Sequence, residues 1–310
     1  MAEIKTVALI GAGGIGTYLI SNLQPVLGRE HLRIIAEGSR KERLAREGVT
    51  ANGTNYQLNV VGPEEKTGFA DLAIIITKFT GLSQAVEDMK NQIGPDTTIM
   101  SPLNGVESEE IVAKTYGWDR VLYSLARVSV MREGANSTFN PNVALIEYGE
   151  KNNRVISERV QAVKDLFDKA GMVSVIQEDM VRAIWHKYMC NVSENQCAAV
   201  LGISFGQMIS SEYANRLREA VAREVIAVAR KKGIDLRESD LPPLKQRLLD
   251  ITYTSKPSTL QDIEAGRKTE VEMFAGAMVR MGRELGVPTP LNEFLYDAIR
   301  VLEEKNEGLI

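Results

Sequence analysis

Val7-Ala8-Leu9-Ile10-Gly11-Ala12-Gly13-Gly14-Ile15-Gly16 is an apolar strand running directly into glycines in the order G-x-G-x-x-G. Each glycine answers a separate physical demand. Gly11 lets the chain turn sharply out of the strand, Gly13 lets backbone N–H groups approach a pyrophosphate, and Gly16 lets the following helix pack close to the sheet. A helix starting there, Ile15 to Leu23, points its positive end at the phosphates. On its own the motif could be a tight strand–helix turn, but its setting makes it a dinucleotide site. A second strand, Leu32 to Ala36, follows and ends on Glu37, near where a ribose-binding carboxylate is expected. The cofactor-binding positions are therefore Gly11, Ala12, Gly13, Gly14, Ile15, Gly16 and Glu37.

Outward from this motif, Gly38-Ser39-Arg40-Lys41-Glu42-Arg43 enters a short helix, and Asn52-Gly53 reads as a hairpin turn. Leu72 to Thr77 is a continuous apolar run, suited to a parallel strand buried on both faces. A helix (Gly81 to Ile93) and a strand (Thr97 to Ser101) continue the alternation of a doubly wound sheet. Strand-like segments between Val121 and Glu150, among them Val143 to Tyr148, precede an amphipathic helix near 156–170 and a strand Val173 to Ile176. Beyond Asp179 strand signals stop, and helical windows cover 179–200, 211–232, 240–253, 258–265, 270–285 and 291–305. Gly233 and Gly286 sit at C′ positions. Ser258/Gln261 and Thr269/Glu272 read as capping boxes, and Pro288 and Pro290 stop continuation. The expectation is an α/β dinucleotide-binding domain over 1–178, followed by an all-helical domain over 179–310.

Composition narrows the function. The chain has 310 residues, 44% hydrophobic and 25% charged, with net charge −4. Those fractions are ordinary for a soluble protein, and no basic field argues for nucleic acid. The N-terminus lacks a signal-peptide arrangement and no apolar run approaches the ~18 residues of a membrane span, so a cytoplasmic protein without a membrane partner is expected. Cys190 and Cys197 stand seven apart in a helical window, a rise of about 10 Å that rules out an undistorted disulfide. They read as packing thiols. With only His31 and His186, and no Cys/His cluster, no metal site is expected. The proton donor, if there is one, has to be something other than histidine.

Several polar residues invite a role. Lys187, Asn191 and Asn195 are four apart, along one face of the helix Asp179 to Val200. That stripe suits a wall of polar groups aimed into a cleft, or simply an exposed face. Asn104-Gly105 lies just past the strand Thr97 to Ser101, and Lys78 occupies the same carboxyl edge, where open α/β sheets bind ligands. Asn-Gly is also a turn, and Lys78 could be solvated. Ser258 and Glu270 stand at the starts of short helices, where a cap and a first-turn carboxylate are ordinary.

Taken together, these residues resemble the ketopantoate reductase (2-dehydropantoate 2-reductase) family. The matching segments are Ile10 to Gly16, Thr77-Lys78, Leu103 to Glu109, Trp185-His186-Lys187 through Asn191 to Asn195, Lys256 to Ile263, Thr269-Glu270, and Glu284 to Pro290. The resemblance implies a Rossmann domain joined to a helical domain, with the active site in the cleft between them. It implies Lys187 as general acid and Glu270 as the partner that orients lysine and substrate. Asn191, Asn195 and Ser258 would bind substrate, Asn104 would meet both the nicotinamide end and the substrate, and Lys78 would line the cofactor edge. The activity implied is reduction of a 2-keto acid, ketopantoate, with NADPH, on the route to pantothenate and coenzyme A.

One departure concerns the cofactor. Where the family usually places an arginine after the second strand for the 2′-phosphate, this chain has Glu37, which favours the ribose diol of NAD. Ser39, Arg40 and Lys41 follow at once and could supply a phosphate cradle. NADP is the expected cofactor, with Arg40 a binding residue and NAD the alternative that Glu37 allows. Two rival readings are a related dehydrogenase acting on another 2-keto acid or an imine, and a non-catalytic dinucleotide-binding regulator. Met273, Phe274, Met278 and Met281 read as core or as a dimer seam, which leaves a homodimer open.

Overall fold

A computed structural model describes residues 3–133, 136–249 and 251–310. The chain divides into two compact units, Met1–Val181 and Arg182–Ile310.

The first unit opens with β1 (Val7–Ile10), α1 (Gly14–Leu27), β2 (Leu32–Ile35), α2 (Gly38–Glu47), β3 (Val49–Ala51), β4 (Thr54–Tyr56) and β5 (Asn59–Val61). It continues through β6 (Leu72–Ile75), α3 (Leu82–Asp88), β7 (Thr98–Met100), α4 (Ser108–Tyr116), β8 (Val121–Arg127), β9 (Val130–Glu133) and β10 (Asn136–Phe139). It closes with β11 (Leu145–Gly149), α5 (Glu158–Lys169) and β12 (Ser174–Ile176). The main sheet has eight strands in the order β12-β11-β8-β7-β6-β1-β2-β5. From β5 to β8 every pairing is parallel, and β11 enters antiparallel to β8. All residues of β1, β2 and β6 are buried, as strands covered by helices on both faces must be. The one charge among them, Arg33, is met by Gln92 Oε1 at 2.6 Å and Thr67 Oγ1 at 3.1 Å.

A second sheet, β4-β3-β10-β9, is built around the Asn52-Gly53 hairpin. Both turn residues take positive φ, 48° and 81°, the conformation that makes this pair suit a two-residue hairpin. Tyr18 of α1 meets Phe139 of β10 edge to face at 5.2 Å, holding this small sheet against α1.

The second unit is helical. Its helices are α6 (Met180–Cys190), which crosses the boundary, α7 (Gln196–Leu201), α8 (Phe205–Ser210), α9 (Glu212–Lys231), α10 (Leu241–Leu249), α11 (Ser258–Glu264), α12 (Ala277–Leu285) and α13 (Pro290–Asn306). Two π-helical turns interrupt them, Asn191–Asn195 and Glu272–Gly276. Met273, Phe274, Met278 and Met281 are buried core residues of this unit. Among the described residues no helix is long and apolar enough to cross a membrane.

Three local expectations need correction. The window 179–200 is not one regular helix, since α6 ends at Cys190 and the π turn separates it from α7. Ser258 caps nothing: Pro257 holds the cap position, and Gln261 Nε2 donates to Lys256 O instead. The Thr269 hydroxyl donates to Glu303 and accepts from Val271 N, so Thr269/Glu272 is not a capping box. A reciprocal box does form between Ser204 and Gln207 at the start of α8.

Candidate active site

The sheet order reverses direction at β1, which pairs with β2 on one side and β6 on the other, so the turn leaving β1 sits at the topological switch point. Gly11 has φ +111°, and a Cβ there would lie 2.3 Å from the Ile76 carbonyl oxygen. At Gly16 a Cβ would lie 1.9 Å from the carbonyl oxygen of Gly11, so α1 packs on the turn as only glycine allows. Gly13 differs, because among the described residues, its chain neighbours aside, nothing lies within 4 Å of the place its Cβ would take. Two glycines answer to the protein itself and the third leaves space beside the N-terminus of α1. That arrangement fits a pyrophosphate. Val130 at the start of β9 lies against Gly14, its Cγ1 3.0 Å from where a Cβ would be. Ala12 is buried beside them and Ile15 half-buried.

Glu37 is exposed at the backbone cap position of α2 and makes no side-chain cap bond. Arg40 follows in the first turn of that helix. Desolvation of its guanidinium, then the like charges of Arg43 and Arg132, lower its pKa. Arg132 belongs to β9, the strand whose first residue touches Gly14, and residues 130 and 132 share a face of that strand. No local signal in the sequence pointed to Arg132, because the sheet brings it in from a distant segment. Lys78 is exposed just past β6, and Asn104 is half-buried beyond β7, beside Gly105 with φ +90°.

In the second unit Lys187 and Asn195 are buried, 9% and 8% exposed, and Asn191 is half-buried. Two side chains fasten their segment to the second π turn. Tyr188 Oη donates to Phe274 O at 2.7 Å. Gln196 donates to Val192 O at 3.0 Å and accepts from Ala275 N at 3.0 Å. Glu270 is half-buried just ahead of that turn, and its carbonyl accepts from Met273 N at 3.0 Å and Phe274 N at 3.2 Å. The preceding Thr269 is anchored by Glu303, which accepts from its N–H and its hydroxyl, both at 2.7 Å. Lys187, Asn191, Asn195 and Glu270 thus stand on two segments strapped together beside them. Ser258 is exposed on α11, which packs on α7 and on the first π turn. π turns recur at functional sites, where the extra residue re-aims a side chain.

Cys190 and Cys197 are both buried, and neither is in a disulfide. Cys190 Sγ donates to His186 O at 3.2 Å, and burial pushes the Cys197 thiol up to about 12. Neither is poised as a nucleophile.

The sheet order and glycine turn define the class, a Rossmann-type dinucleotide-binding fold with a helical second unit. The chain belongs to the ketopantoate reductase family: residues 7–153 match its "Ketopantoate reductase PanE/ApbA" sequence profile and residues 179–303 its C-terminal counterpart. That family comprises NAD(P)H-dependent oxidoreductases. A 2-dehydropantoate 2-reductase of Pyrococcus horikoshii is 27% identical over 304 residues, covering 97% of this chain and 98% of the relative. A ketopantoate reductase from Ralstonia eutropha JMP134 superposes with TM-score 0.81 at 24% identity, over 97% and 99% of the two chains. A D-mandelate dehydrogenase with bound NADH and anilino(oxo)acetate superposes with TM-score 0.86 at 22% identity, over the same shares.

Proposed function

We propose that this protein reduces the ketone of a 2-keto acid with NADPH, ketopantoate being the substrate and pantoate the product. The observation that supports the reading is the strapping of the Lys187–Asn195 segment, through Tyr188 and Gln196, to the π turn that follows Glu270. In this reading the first unit binds the dinucleotide and the second, from about residue 179, supplies the acid, the substrate-binding groups and any dimer contact.

When bound, the cofactor supplies a hydride to the carbonyl carbon. The charge that develops on the ketone oxygen needs a positioned cation or proton donor in a water-poor site. A lysine ammonium is both a cation and a proton donor, so the step needs no histidine. Lys187 gives its proton to the oxygen, and Glu270 holds the ammonium in line. Asn191, Asn195 and Ser258 bind the carboxylate and hydroxyl groups of the substrate, and Asn104 meets the nicotinamide end. Gly11, Ala12, Gly13, Gly14, Ile15 and Gly16 cradle the pyrophosphate, with Lys78 at the same edge.

Arg40, Arg43 and Arg132 favour NADP. Like charges held near one another repel, and a phosphate relieves that repulsion through charge-assisted bonds. Glu37 is the opposing feature and would suit the ribose diol of NAD. A second reading, reduction of an aromatic 2-keto acid, is supported by the likeness to D-mandelate dehydrogenase. Oxidation of NADPH and of NADH is to be followed with ketopantoate, benzoylformate and a cyclic imine. The proposal expects the highest kcat/KM for ketopantoate with NADPH. A preference for benzoylformate would install the second reading, and dinucleotide binding without turnover of any of the three would mark a regulator.

A further inference from the structure

Arg218, on α9, is the largest fully buried side chain among the described residues. Its charge is answered by Glu194 at 3.8 Å, itself 2% exposed, and by half-buried Glu219 at 3.5 Å. None of its guanidinium nitrogens makes a hydrogen bond to the described residues. For stability alone this is a poor arrangement. Taking two charges out of water is offset only by close geometry and satisfied donors, and apolar residues of the same shape usually serve as well or better. The surroundings are dry: burial is the largest cause that pushes the thiol of neighbouring Cys197 up to about 12, with Arg218 opposing the rise and Glu194 adding to it.

The place where Glu194 sits gives the pair another purpose. It lies inside the first π turn, between Asn191 and Asn195. A π turn carries one residue more than an α-helical turn, so everything after it is rotated by about 100° relative to a regular helix. Without a restraint, an isolated segment would relax to the α-helix. Gln196 restrains the turn from the side of the second π turn, through Val192 O and Ala275 N. Arg218 reaches the same turn from α9.

We propose that the buried Arg218–Glu194 pair holds residues 191–195 in their π turn and so fixes the direction of Asn191 and Asn195. Arg218 is on this view a positioning residue, touching neither substrate nor cofactor. The functional consequence rests on the assignment of those asparagines to substrate binding; the structural one does not.

The test is the double variant Arg218→Met/Glu194→Leu, which removes both charges and keeps the volume, beside Arg218→Lys, which keeps the charge. Each is crystallised, and its thermal midpoint, dinucleotide Kd, and kcat and KM for the 2-keto acid are measured. The double variant should keep or exceed the wild-type midpoint and bind dinucleotide unchanged. Its residues 190–196 should form regular α-helix, and its kcat/KM should fall by ~10²-fold, as expected from an ångström-scale misplacement. Arg218→Lys should keep the π turn and recover most of the activity. A double variant that retains the π turn, or loses it with kcat/KM intact, overturns the proposal. If the double variant does not fold, Glu194→Gln carries the same readouts, with the same results deciding. A wild-type protein that turns over no 2-keto acid would defeat the proposed function, while the crystal structures would still decide what holds the turn.

Discussion

The turn at residues 11–16 and the strapped segment at residues 187–196 are held in opposite ways. In the first, backbone sterics act among near neighbours: Gly16 must lack a Cβ because the carbonyl of Gly11 stands 1.9 Å from where it would be. In the second, Tyr188, Gln196 and Glu194 are met by residues from distant parts of the unit, Phe274, Ala275 and Arg218. The first kind of site is a property of a short sequence. The second is a property of a packed core, and its failures should leave the first untouched.

The largest effect should come from the second region. Lys187→Ala is expected to lower kcat by ~10²–10⁴-fold, the contribution of a positioned acid. Fluorescence titration should find its dinucleotide affinity unchanged, because the glycine turn belongs to the first unit. Turnover near the wild-type level would remove the lysine from the chemistry and end the contrast between the two regions.

Within the glycine turn, the three positions should separate. Gly16→Ala forces a Cβ onto a backbone oxygen, and such overpacking costs about 1–3 kcal/mol, visible as a lower thermal midpoint. Gly13→Ala meets no protein atom, so the midpoint should hold while the Kd for dinucleotide rises by at least ~10-fold, the loss of about one charge-assisted bond. Stability and affinity losses falling the other way round would show that Gly13 serves the fold rather than a ligand.

A smaller and more selective change should follow at the arginines. Arg132→Ala is expected to cut the NADPH-to-NADH ratio of kcat/KM by ~10-fold, the worth of one hydrogen bond to a charged group. An unchanged ratio would leave Glu37 to set the preference. Arg132 comes from β9, so it also tests whether a glycine turn legible from sequence borrows a residue that is not.

What could be read from the sequence follows the same division. Apolar runs bounded by turn residues located β1, β2 and β6, and Asn52-Gly53 announced its hairpin, because those signals act through local backbone geometry. The π turns were invisible, since a helical period applied to 179–200 assumes one residue spacing throughout. Ser258/Gln261 and Thr269/Glu272 had the right residues for capping boxes, yet Gln261 turned to Lys256 O and Thr269 to Glu303. A local backbone carbonyl decided the first and a tertiary carboxylate the second. Met273, Phe274 and Met278 could have been seam or core, and only the packing of α12 and its π turn makes them core. Roles for Lys187 and Glu270 come only through family resemblance, whereas the straps at Tyr188 and Gln196 had no signal of their own.

The smallest expected effect concerns a contact of the first unit away from the glycine turn, where β11 hands over to α5. Arg159 donates through Nε and Nη2 to Glu150 at 2.7 and 2.5 Å, and the Ser157 hydroxyl donates at 2.8 Å. Burial alone would raise the Glu150 pKa, but the bonds from Arg159 and Ser157 outweigh it and hold the carboxyl below its ordinary value. A depressed folded pKa means the stabilisation is full above the unfolded value, ~4.3, and is lost as pH falls through the folded one. Glu150→Gln should therefore destabilise the protein by about 1–2 kcal/mol at pH 7, and the gap from wild type should close at acid pH below that range. Thermal midpoints of both proteins across the acid range measure this, with dinucleotide Kd recorded alongside. A gap that stays constant with pH would mean that packing, not charge, holds this corner, and a shifted Kd would mean that the glycine turn depends on distant contacts as the lysine segment does.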